Sequence, residues 1–264
     1  MDVHSFIEEY SKEYISGGTK EKFALLLASE IKSILNKIKI DEQGATVADY
    51  ERISDLAKVI LYLFESDSLF PPDSVLDVSM RIGLWPAQLI RLKLSDEDAP
   101  RSWRTSNQEK VASIDDCLGK YDPAEALIVL YVKEILSASE DLKTHPKYLA
   151  RIVELHEAAH AIVHLGCDAD LRTLSVNTLN AFDSGSSVSP LHETLAQLLT
   201  WHCIKETKLT RVFDVLNQRQ PAEYTMWVDF RDVPLEHVRG FLVALRGELV
   251  VPTIEAFRRL TLGV

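Results

Sequence analysis

The stretch PKYLARIVELHEAAHAIVHLG, residues 146–166, combines a long apolar helical pattern with several ionisable side chains. Apolar residues recur in it at spacings of three and four, which is typical of an α-helix. Pro146 stands at the favoured first helical position, and Gly166 stands where a helix commonly ends. The stretch therefore predicts one long helix over residues 146–165, which carries three histidines and two glutamates.

This helix contains the pattern HExxH, formed by His156, Glu157 and His160. Helical residues four positions apart lie on one face, about 6 Å from each other. Two imidazoles there can both bind one zinc ion, with bonds of about 2.0–2.1 Å. A purely structural pair of core histidines is the alternative, but burying these charges without a metal is costly. We therefore predict that His156 and His160 are zinc ligands and that Glu157 is the catalytic base that takes a proton from water.

A catalytic zinc site needs a third protein ligand. The stretch SPLHETLAQLLTWHCI, residues 189–204, begins with a Ser-Pro pair that is typical of a helix N-terminus. Glu193 lies early on this second helix, from which a carboxylate can complete a site with two histidines. Glu193 is the expected third ligand, and His192 and Asp183 are the alternatives.

Two further ionisable residues lie on the first helix. His164 is one turn beyond His160, but a straight helix cannot direct three successive turns at one tetrahedral ion. We expect His164 to support the site or to pack in the core, and Glu154 to lie on the helix surface. His202, Tyr224 and His237 are candidates for stabilising an oxyanion, and their spacing does not choose among them.

The segments HEAAHAIVHLG and HETLAQLL together resemble the compact bacterial zinc metallopeptidases of the ImmA/IrrE type, which are gluzincin-like. In that family the HExxH helix precedes a helix marked Glu-x-x-Ala-Asn, whose glutamate is the third zinc ligand. The resemblance implies this role for Glu193, and Ala196 matches the alanine of the motif. Gln197 replaces the usual asparagine, and Leu195 stands where a second acidic residue is usual.

The resemblance covers about residues 120–205 and implies a zincin-like fold. It implies zinc-dependent hydrolysis of peptide bonds in a protein partner, as limited regulatory proteolysis. Zincins run an edge strand past the metal to bind the substrate backbone. The β-leaning run at 127–132, LIVLYV, is the expected edge strand.

The remaining sequence predicts a mainly α chain, of the α+β class, with a small sheet. Helical periodicity fills the first 70 residues, and a further helical piece is expected over 74–94. We predict an N-terminal helical domain over residues 1–112 and a zincin-like metallopeptidase domain over 113–264. Near the C-terminus, EYTMWVDF reads as a strand, and one or two helices close the chain.

Net charge and sequence patterns limit the classes of partner and the cellular location that we expect for the protein. The 264 residues carry a formal net charge of −11, which disfavours broad binding to nucleic acid. Residues 78–94, VSMRIGLWPAQLIRLKL, look like a helix-turn-helix but offer few base-reading side chains, so plain helical packing is expected. The sequence shows neither a signal peptide nor a membrane span, so a cytoplasmic protein is expected. Its expected partners are a protein or peptide substrate and a regulatory protein.

Two other functions fit the same residues. Zinc could stabilise a non-enzymatic regulatory module that binds a partner protein or DNA. The chain could also be an effector protease that needs an activating partner.

Overall fold

The computed structural model of the protein is mostly helical and has a small sheet. The described residues are 1–14, 25, 28–29, 31–36, 38, 46–47, 49–54, 72–88, 90–99, 118–167, 172–175, 178, 189–220 and 222–263.

The helices with defined bounds are α1 (Val3–Tyr14), α2 (Asp73–Ile82), α3 (Val132–Asp141), α4 (Pro146–Leu165), α5 (Ser189–Ile204), α6 (Thr210–Asn217), the 3-10 helix η1 (Ala222–Phe230), α7 (Leu235–Arg246) and α8 (Ile254–Leu262). The strands are β1 (Trp85–Pro86), β2 (Arg91–Ser95), β3 (Gly119–Asp122), β4 (Leu127–Tyr131) and β5 (Gly166–Cys167).

Helix α4 lies at the centre of the protein, and its bounds confirm the predicted helix over 146–165. Every residue from Leu149 to Leu165 is buried, because α5, α2, α3 and the sheet pack around it. A helix covered on all sides needs no solvated polar face, so its apolar residues occur all around it and its ionisable residues are buried as well. After it, Gly166 has extended backbone and begins β5. A Cβ at Gly166 would lie 2.4 Å from the carbonyl oxygen of Ile162, so the close approach of the chain requires glycine.

The three-stranded sheet has the order β2-β4-β3. Strand β4 pairs in parallel with β2, where Lys93 is opposite Val129, and antiparallel with β3, where Lys120 is opposite Val129. The predicted strand at 127–132 therefore exists, but the prediction that it is an edge strand is wrong. It is the central strand because hydrogen-bonded neighbours cover both of its sides.

The predicted helix over 74–94 ends much earlier. Helix α2 stops at Ile82, and Gly83 caps it in the left-handed conformation at φ 69°. Strands β1 and β2 follow, so the second helix of a helix-turn-helix is not formed. Pairing with β5 and β4, which are distant in sequence, replaces the local helical pattern here.

A division at residues 112 and 113 does not separate two cores in the described part of the chain. Phe6 and Tyr10 on α1 are completely buried, and α2 packs against α4. Strand β2 belongs to the same sheet as β3 and β4. The described elements before residue 113 thus complete one core with those that follow it.

Glu154 is completely buried, so its predicted surface position is wrong. The Tyr10 hydroxyl donates a hydrogen bond to Glu154 Oε2, and Arg151 Nη1 donates to Glu154 Oε1 at 2.9 Å. Arg151 Nη2 also donates to Asp77 Oδ2 at 2.6 Å. A buried charge is tolerated when it is paired and hydrogen-bonded in this way. This network fastens α1 and α2 to the central helix α4.

The C-terminal region differs from its prediction in one element. The segment EYTMWVDF, predicted as a strand, lies within the 3-10 helix η1. Its Trp227 is buried against Trp201 and Phe213, with ring centroids at 5.6 and 5.4 Å. Two helices, α7 and α8, close the chain as expected. Among the described residues, no helix is both long and apolar enough to cross a membrane.

Candidate metal centre

The two histidines of the HExxH pattern lie side by side on α4. The Nε2 atoms of His156 and His160 are 3.0 Å apart, and the rings are nearly perpendicular at 88°. Both residues are buried, with exposed fractions of 5% and 7%. Helical geometry alone brings them together, because residues at i and i+4 share a face.

Glu193 reaches these nitrogens from α5, which packs directly on α4. Its Oε2 lies 3.3 Å from His156 Nε2, and its Oε1 lies 3.5 Å from His160 Nε2. The three predicted ligands thus come together, and the group His156, His160 and Glu193 could hold a metal ion.

The state of Glu193 suits a cation site. Burial by itself would raise its pKa, but the charge of His160 and the close imidazoles of His156 and His160 hold the pKa well below its ordinary value. Its Oε2 is nevertheless buried without a partner at hydrogen-bonding geometry among the described residues. A metal ion would satisfy this oxygen.

His192 contacts the site but does not belong to the group of possible ligands. Its Nε2 lies 3.1 Å from Nδ1 of His160, on the far side of that ring from Glu193. The centroids of the His160 and His192 rings are 4.2 Å apart. Burial, helped by the charge of His160, lowers the pKa of His192 well below its ordinary value. Asp183, the other alternative ligand, lies outside the described residues.

His164 also stays outside the ligand group, as expected, and contacts the sheet. Its Nδ1 lies 2.8 Å from the Tyr121 hydroxyl on β3. Burial lowers the pKa of His164 to about 4 and raises that of Tyr121, so a neutral imidazole accepts a hydrogen bond from a protonated hydroxyl. The remaining His164 proton then lies on Nε2.

Glu157 is buried, with an exposed fraction of 5%, and faces strand β3. A Cβ added to Gly119 would lie 3.2 Å from Glu157 Cγ and 3.3 Å from its Oε1. Gly119 therefore allows the edge strand to approach the proposed base closely. Sequence reasoning missed Gly119 and Tyr121; a glycine within a short strand is a signal of close approach, although a weak one.

Of the three candidates for an oxyanion donor, His202 and His237 have described side chains, and neither belongs to the ligand group. His202 is buried on α5, nine residues after Glu193, which corresponds to about 13 Å along the helix. Burial, with the charges of Lys205 and Arg81, lowers its pKa to about 4. His237 is exposed on α7, and the Tyr224 side chain lies outside the described part of the protein.

Comparisons with known protein families, curated proteins and solved structures found no match to this chain.

Proposed function

We propose that the protein is a zinc-dependent metallopeptidase with a zincin-like core, similar to the ImmA/IrrE type. The observation that carries this proposal is the close approach of the two histidine nitrogens and the Glu193 carboxylate. Tetrahedral zinc with bonds of about 2.0–2.1 Å separates its ligand atoms by about 3.3–3.4 Å. The two histidine nitrogens are 3.0 Å apart, Glu193 Oε2 lies 3.3 Å from His156 Nε2, and Glu193 Oε1 lies 3.5 Å from His160 Nε2, so each separation is close to this value. Two imidazoles and one carboxylate are also a ligand set of catalytic zinc sites.

A bound zinc ion supplies Lewis acidity, which polarises a carbonyl group and lowers the pKa of water. Glu157 follows His156 directly in the chain and is not among the three possible ligands. In the proposed reaction, a carboxylate oxygen of Glu157 removes a proton from the attacking water. The same carboxyl group then delivers that proton to the nitrogen of the departing amine.

Strand β3 is the proposed place for the substrate backbone. It pairs with β4 on one side and is the outer strand of the sheet within the described residues. An extended peptide can add to such an edge through main-chain hydrogen bonds. Because Gly119 lies against Glu157, a peptide on this edge would pass close to the proposed base. Here β3 takes the role that the sequence assigned to the 127–132 run.

We expect Gly119→Ala to slow peptide hydrolysis by about 10-fold with zinc content unchanged, since misplacing a catalytic group by about 1 Å costs about 100-fold and Glu157 needs a smaller shift. The new Cβ would lie 2.7 Å from Val153 Cγ1, so Val153 and Glu157 must shift. The measurement is kcat at a temperature at which circular dichroism shows the variant to be folded.

Lys120→Ala is the matched control for this change. Lys120 is the next residue of the same strand and its side chain is exposed. The control is expected to retain the hydrolysis rate of the original protein. A Gly119→Ala protein with undiminished kcat would show that β3 does not position Glu157.

The direct test of the proposed function is zinc content together with zinc-dependent cleavage of denatured casein. We expect about one zinc ion per chain after dialysis, since the chain offers one such ligand group among its described residues. Cleavage should stop on chelation and return when zinc is restored. A fully loaded protein without cleavage of any denatured substrate would contradict the proposal. A cytoplasmic protein partner as the natural substrate, cleaved in a limited regulatory way, is part of the same proposal.

One observation favours the second candidate, a non-enzymatic module that zinc stabilises. His156, Glu157 and His160 are each at most 7% exposed, so little of the site is open to a substrate. In that case zinc would contribute to folding and the chain would act by binding a partner. Hydrolysis by the Glu157→Gln protein separates the two functions.

A further inference from the structure

His160 is contacted on both ring nitrogens by consecutive residues of α5. Its Nε2 lies 3.5 Å from Glu193 Oε1, and its Nδ1 lies 3.1 Å from His192 Nε2. Successive residues of a helix point about 100° apart, so one turn of α5 can reach two sides of the same imidazole. His192 has no role in the ligand group itself.

The position of one proton decides what the His160–His192 contact does. A neutral imidazole carries its single N–H on one nitrogen and a lone pair on the other. A metal that binds at Nε2 of His160 uses that lone pair, so the proton must be on Nδ1. At 3.1 Å, the Nδ1–H of His160 can donate to His192 Nε2, whose own proton then lies on Nδ1.

We propose that His192 is a positioning residue that fixes the tautomer and the ring orientation of His160 for metal binding. This inference rests on the proposed metal site. Metal-binding histidines generally donate their other N–H to a carboxylate, a carbonyl or water, and that partner raises the basicity of the ligand. In this chain a second imidazole takes the place of that partner. The dipeptide His192-Glu193 thus supplies both a ligand and the group that orients another ligand.

The test compares zinc affinities of His192→Leu and His192→Gln, measured by competition with a chromophoric chelator. Leucine cannot accept a hydrogen bond, so we expect affinity to fall about 10- to 100-fold. The Oε1 of glutamine can occupy about the position of Nε2 and accept the same bond, so His192→Gln should stay within about threefold of the original protein. His164→Leu is the matched control, because His164 is a neighbouring buried histidine that bonds to Tyr121 instead of a ligand. It should leave zinc affinity within about threefold.

A spectroscopic measurement distinguishes positioning from general destabilisation. The ligand-field absorption of the Co²⁺-substituted protein should change in His192→Leu and be restored in His192→Gln, while the metal-free proteins unfold at similar temperatures. If His192→Leu binds zinc as tightly as the original protein does, the inference is wrong and the proposed function is unaffected. Loss of zinc from both His192 variants, as complete as in Glu193→Ala, would also overturn it, by showing that His192 is a ligand. An original protein that binds no zinc would refute the metal site, and this inference with it.

Discussion

Replacing His160 with alanine is expected to lower the zinc content of the purified protein from about one equivalent to a trace. The change removes His160 Nε2, which lies 3.0 Å from His156 Nε2 and 3.5 Å from Glu193 Oε1. Loss of a residue that hydrogen-bonds to a metal ligand already lowers metal affinity by about 10- to 100-fold. Loss of the ligand itself should therefore lower zinc affinity by more than about 100-fold. Metal content after dialysis, measured by elemental mass spectrometry, is the readout, and Glu193→Ala should behave in the same way.

Thermal unfolding provides an independent check on the same variant. A metal that binds only the folded state stabilises it, so a chelator should lower the unfolding temperature of the original protein. The same chelator should have no effect on His160→Ala. His164→Ala serves as the control, because it removes a buried histidine from the same helix and leaves the three ligand atoms in place. Full zinc occupancy in His160→Ala would rule out the site.

Replacing Glu157 with glutamine is expected to abolish most hydrolysis while zinc remains bound. Glutamine has nearly the shape of glutamate but cannot take the proton of the attacking water. General acid–base catalysis contributes about 10²- to 10⁴-fold, and kcat on a casein-derived peptide should fall by this amount. Zinc content should not change, because Glu157 does not belong to the group of possible ligands.

Glu125→Gln makes the same chemical change at an exposed glutamate beside the sheet, where Glu125 pairs with Arg91 at 3.2 Å. It should retain the original hydrolysis rate. Unchanged hydrolysis in Glu157→Gln would remove Glu157 from the reaction. The non-enzymatic module would instead be established by two results together. The original protein would bind zinc without hydrolysing any substrate, and Glu157→Gln would bind the partner protein as well as the original protein does.

The tertiary structure revised the predictions that depended on long-range contacts. Arg151 lies one turn before Glu154 on the same helix, and an ion pair at this spacing is equally typical of a surface. The long-range contact is the hydrogen bond that the Tyr10 hydroxyl of α1 donates to Glu154, and no signal in the sequence predicts it. The sequence around β2 predicts a helix because its local pattern is helical. The strand forms through pairing with β4, which brings together residues 36 positions apart, such as Arg91 and Leu127. The same pairing makes β4 central and leaves β3 at the edge.

By itself, the sequence determined helix α4 and the shared face of His156 and His160, because the helical repeat fixes the geometry of residues four positions apart. It also indicated Glu193, because the Ser-Pro pair marks the start of α5 and places this carboxylate early on that helix. Only the tertiary structure decided that Glu193 approaches both histidines, that His192 lies behind His160, and that Gly119 faces Glu157. These contacts join different elements, so their geometry is set by how α5 and β3 pack on α4.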